Sequence, residues 1–131
     1  MVRNILGVVL GALVWTAVFY ALAIALAQLW PDYASHARQW VKAGAFTFTS
    51  PMAGCNLLLW VLAEMAAGWA AAKISASRSA VWILAGLVGI YLAILHLALY
   101  WRLFPWWYNL GVVVPAVPAV LLGARLANRA R

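Results

Sequence analysis

The feature that most constrains this chain is a run of 26 residues, 5–30, without a single charge. As a helix rising 1.5 Å per residue it reaches about 39 Å, longer than a ~30 Å hydrocarbon core. Three more such runs follow. Residues 52–72 are interrupted only by Glu64, residues 80–101 have none, and residues 107–124 have none. A chain of 131 residues has room for one domain. With 69% hydrophobic and 8% charged residues it has too little polar surface to cover a water-soluble fold. The expectation is an all-α, single-domain integral membrane protein covering 1–131. Its four transmembrane helices form an antiparallel bundle. The small-residue triplets at 23–25 and 25–27 look like signal-peptide cleavage sites, but the first run far exceeds a signal-peptide core. It is read as a retained helix.

Punctuation supports these limits. Pro51 precedes the second run, where a helix start accepts proline, and Lys73 closes it. Trp82, Tyr100 and Trp101 flank the third run as an interfacial aromatic belt. The fourth contains Pro115 and Pro118, which remove backbone donors and should bend it. Short connections make the last three spans consecutive antiparallel neighbours. The connection 31–50 is long. It mixes Asp32, Arg38 and Lys42 with Tyr33, Trp40, Phe46 and Phe48. Two readings stand for it: a short interfacial helix within 32–48, or a plain loop.

Nine basic residues against two acidic ones give a net charge of +7. The bases flank apolar runs rather than forming one face, which argues for membrane orientation and against nucleic acid. Arg3, Lys73, Arg78, Arg125, Arg129 and Arg131 fall on one side, and Arg38, Lys42 and Arg102 on the other. The excess of bases on cytoplasmic loops then puts both termini in the cytoplasm. The lipid bilayer is the first partner, its anionic headgroups meeting the basic C-terminal tail. Cys55 has no partner for a disulfide. No spacing of Cys and His points to a metal or other cofactor. Ser35 and His36 lack the geometry of a nucleophile and base.

Small residues recur every four positions: Gly7 and Gly11; Ala63, Ala67 and Ala71; Gly68 after Glu64; Ala85, Gly89 and Ala93. Such faces let helices approach closely, either within one bundle or against a second copy or a larger complex. Glu64 is the only acid in a span. It lies nine residues before Lys73, about 13 Å from that boundary. A charge there costs about 2.5–3.5 kcal/mol, which favours the neutral acid. Depth arithmetic puts Trp15, Thr16 and Tyr91 near its level, with Pro115 beside them. His96 lies about 10 Å beyond Glu64, with Tyr20, Asn56, Trp60 and Tyr100, as a candidate outer polar pocket.

Three segments carry a resemblance. They are the glycine-bearing first helix ending in L-W-P at 29–31, A-A-G-W-A-A-A-K-I at 66–74, and P-A-V-L-L-G-A-R-L-A at 118–127. Together they resemble a loose group of small four-helix bacterial membrane proteins. That resemblance implies a fold and no activity; the expected location is the bacterial inner membrane. Small multidrug-resistance transporters are similar in size but carry their membrane glutamate in the first helix. Dual-topology fluoride channels have pore motifs unmatched here. The function expected is non-enzymatic: an accessory or interaction protein packing through small-residue faces. The alternative is a homo-oligomeric, proton-linked transporter or channel using Glu64.

Overall fold

A computed structural model describes residues 1–43, 46–75 and 77–129. Arg131, one of the bases named for topology, lies outside these residues, as do the side chains of Trp40 and Lys42. The described chain is helical. Helix α1 is Val2–Leu29, α2 Pro31–Ala43, α3 Ser50–Ser75, α4 Arg78–Ala93 and α5 Trp106–Arg129. A π-helical stretch, Ile94–Leu99, continues α4. Four helices are long and apolar enough to cross a membrane, the third running Arg78–Leu99. This is the all-α four-span architecture expected from the apolar runs. The ends differ by a few residues: most helices continue past the apolar run into polar flanking residues, whereas α1 stops at Leu29 and the third span at Leu99, just short of their runs.

Local chemistry sets several ends. Trp30 stops α1 with φ −133° and ψ 90°, the extended backbone preferred before a proline. Pro31 then opens α2, where its missing N–H costs nothing, and Asp32 sits in its first turn, favoured by the helix dipole. The connection is therefore a helix over Pro31–Ala43 rather than a loop. Helix α5 runs unbroken through Pro115 and Pro118. A backbone irregularity follows α4, in the π-helical stretch Ile94–Leu99.

Helix α3 is the centre. It packs chiefly on α1 and α5, and less on α4, so the largest contacts are not all between sequence neighbours. Its alanines at 63, 67 and 71 are fully buried. Helices α3 and α5 run in the same direction, since Asn56 meets Tyr108 and Gly68 meets Val120. A Cβ on Gly68 would overlap the Val120 carbonyl, and one on Gly123 would overlap Met65. A Cβ on Gly7 would lie 2.7 Å from Ser75 Cβ, and one on Gly11 would strike Leu84 and Ala71. A Cβ on Gly89 would stand 2.9 Å from a Val117 methyl. All four glycines marked for packing thus meet neighbours within one chain. Helix α1 fully buries only Gly7 and Gly11; Val8, Ala12 and Trp15 pack partly buried against the core, and Ile5, Leu6, Val9, Leu13 and Ile24 stay exposed.

Candidate functional site

The loop-side end of the bundle is closed by α2 and the segment after it. Tyr33 is only 3% exposed. Its ring stacks on Phe48 at 5.2 Å. Thr47 Oγ1 donates to the His36 carbonyl at 2.9 Å, tying that segment back to α2. Phe46 packs edge-on against Phe104 at 5.6 Å and tilts over Tyr108 at 5.0 Å.

Beneath this cover lies a cavity of about 360 Å³. His96, Tyr20, Asn56, Trp60 and Tyr100, grouped from depth arithmetic, all line it. So do Tyr33, Phe48, Tyr91, Phe104 and Tyr108. Depth arithmetic does not place Tyr33, Tyr108 or Asn109 here. For Asn109 a signal exists: it is one of two asparagines inside the four apolar runs of the sequence, and a buried amide needs partners.

The polar groups of this end form two connected sets. In the first, the Tyr108 hydroxyl donates to Asn56 Oδ1, and Asn56 Nδ2 donates to the Tyr33 hydroxyl at 2.6 Å. The direction of these bonds leaves the Tyr33 oxygen as acceptor and its own proton available to the cavity. Burial pushes the Tyr33 hydroxyl above its usual range, so that proton stays on.

The second set centres on His96, which is 2% exposed. The π-helical stretch carries it. Its wider turn rotates the side chains beyond it relative to a regular α-helix, and such turns are frequent at functional sites. His96 Nδ1 lies 3.0 Å from Asn109 Oδ1. Asn109 Nδ2 donates to the Phe104 carbonyl at 3.2 Å, which fixes Oδ1 as the acceptor. His96 Nδ1 therefore carries the proton. Its Nε2 is buried without a partner. Trp60, Tyr100, Phe104 and Tyr108 surround the ring at centroid distances of 6.1, 5.8, 5.9 and 6.1 Å. An imidazolium in this apolar box would be expensive, so the neutral ring presents Nε2 as a lone-pair acceptor.

A smaller groove of about 120 Å³ adjoins the cavity, sharing Phe19, Tyr20, Trp60 and Tyr91 with it. Trp15 and Thr16 complete it. Trp15 meets Trp60 and Tyr91 at 5.8 and 5.7 Å. Tyr20 and Tyr91 are 61% and 52% exposed, so the groove opens sideways between α1 and α4. Trp15, Thr16 and Tyr91 thus come together, but Glu64 does not line their groove. Thr16 is exposed and bonds back to the Ala12 carbonyl at 3.1 Å. Glu64 is fully buried, and neither carboxyl oxygen has a hydrogen-bond partner. Among the described residues no three metal-ligating side chains gather.

Comparison with protein-family models, curated proteins and solved structures gave no match.

Proposed function

We propose that this chain is a non-enzymatic membrane protein that binds a small hydroxyl-bearing amphiphile in the α2-end cavity. One observation carries the reading: His96 Nε2 is a buried acceptor without a partner in the wall of an aromatic cavity. Ligand pockets of about 300–1,000 Å³ with few polar groups are the usual form of a small-molecule site. Here the polar groups are complementary. His96 Nε2 accepts and Tyr33 donates, which is the requirement of a hydroxyl, able to do both. The aromatic walls suit a flat ring or an apolar stem. The groove between α1 and α4 offers a route from the lipid.

The small-residue faces that motivate an accessory role are filled by neighbours in the same chain. They lend no support to an outside partner. In the bacterial inner membrane, with both termini cytoplasmic, the cavity would sit toward the periplasmic face.

The direct test is titration of 4-heptylphenol, and of heptylbenzene lacking the hydroxyl, into the protein in nanodiscs, followed by tryptophan fluorescence. The phenol should bind at least tenfold more tightly. Equal affinity would remove the polar pair from the account.

Glu64 favours a second reading, a proton-linked transporter, because a buried acid with no partner in a span is a functional candidate by default. That reading requires Glu64→Gln to abolish flux while leaving phenol binding intact.

A further inference from the structure

The opposite end of the bundle carries a second concavity, unrelated to the aromatic cavity. Helix α3 ends there, α4 begins and α5 closes. The pocket has a volume of about 210 Å³ and opens between α4 and α5. Arg78 and Arg125 both line it, with Asn128 and Ser77 as further polar groups. Trp82 and Leu121 form its apolar wall.

Arg78 and Arg125 are both exposed on the lining of this one hollow, so it carries two positive charges that an anion would neutralise. The chain's two acidic side chains do not serve. Asp32 is in α2 at the far end, and Glu64 is fully buried. The start of α4 adds donors. Ser77 makes no side-chain cap, and no acidic residue occupies the first turn. The first N–H groups of α4 therefore keep their hydrogen-bonding capacity at the pocket's edge. Planar guanidiniums bind phosphate in a two-pronged way that ammonium groups cannot match.

We propose that this pocket holds the phosphate of an anionic phospholipid headgroup. Its position selects a lipid over a free anion. The pocket lies at the ends of the apolar spans, the level of headgroups. Trp82 is 58% exposed, as an interfacial tryptophan is. With Leu121 it offers the glycerol and upper acyl chain a surface that a free phosphate would not use.

The test uses the full chain in phosphatidylcholine vesicles with spin-labelled phosphatidylglycerol, reading the motionally restricted lipid fraction by electron spin resonance. The protein should favour phosphatidylglycerol over phosphatidylcholine several-fold. Arg78→Gln with Arg125→Gln should abolish that preference. Arg3→Gln with Lys73→Gln, the same charge change outside the pocket, should preserve most of it. The charge-conserving pair Arg78→Lys with Arg125→Lys should lower it several-fold, because the two-pronged contact is lost. The proposal fails if both glutamine pairs lower the preference equally, or if the lysine pair retains it in full. Release of the lipid by inorganic phosphate would assign the pocket to a soluble anion and overturn the lipid.

Discussion

Asn109 holds His96 by one ring nitrogen, Oδ1 lying 3.0 Å from Nδ1, while its own Nδ2 is bound 3.2 Å from the Phe104 carbonyl. The second bond orients the first. A rotated amide would set its NH₂ against the imidazole N–H and lose both contacts. The tautomer of His96, and so the acceptor it shows the cavity, is set by a residue in a different helix.

Replacing Asn109 with leucine should therefore act twice. It strands the His96 Nδ1–H and the Phe104 contact in an apolar interior. The loss of a buried partner costs about 1–3 kcal/mol, and detergent unfolding should show a destabilisation of that size. Phenol affinity should fall as well. Unchanged stability would mean that the bond holds nothing.

The close approach of α3 and α5 gives a sharper packing test. Gly68→Ala puts a methyl into the Val120 backbone, and overpacking of this kind costs about 1–3 kcal/mol. Gly54→Ala, in the same helix with nothing within 4 Å, is the control. It should be neutral or slightly stabilising, since alanine is the better helix former. Equal behaviour of the two would deny the close contact.

Glu64→Met should stabilise the fold. The native carboxyl is buried with neither oxygen paired, and removing an unsatisfied polar group recovers about 1–3 kcal/mol of desolvation. A residue kept against stability is the mark of use rather than structure. If unfolding instead shows a loss, Glu64 has a partner and its role is structural.

Tyr33 predicts a pH dependence. Its folded-state pKa lies above the ordinary value of 10.0 through burial, so docking favours the neutral hydroxyl. The associated stability is full below 10.0 and is lost as pH rises from there through the folded value. Hydrogen exchange at the α2 amides, corrected for the intrinsic rate, should be flat up to about 10 and accelerate above it. Tyr33→Phe should abolish that pH dependence. Acceleration well below 10.0 in the native chain would contradict a buried Tyr33.

Much of this architecture is legible in the sequence, because lipid imposes length and apolarity on each span separately. Depth arithmetic also gathers His96, Tyr20, Asn56, Trp60 and Tyr100, which line one cavity, since straight helices make residue number a measure of height. The same arithmetic gives height but not direction, and so it sets Glu64 at the level of Trp15, Thr16 and Tyr91 although neither of its oxygens takes a hydrogen bond and it does not line their groove. The π-helical stretch at Ile94–Leu99 leaves no pattern in a nearly all-apolar run, and it is what carries His96. Tyr33 comes from the long connection, whose helical state is one of two readings that its residues allow.

The central claim is that His96 offers a bare Nε2 to a hydroxyl ligand. Nitrogen-15 NMR of the ring-labelled protein in lipid tests it most directly, because the chain has only two histidines, His36 and His96. His96→Gln assigns the signals. The account predicts that Nδ1 is protonated and Nε2 is not, and that 4-heptylphenol shifts the Nε2 resonance in the hydrogen-bonded direction without moving His36. A protonated Nε2, or an Nε2 signal indifferent to the phenol, would contradict it.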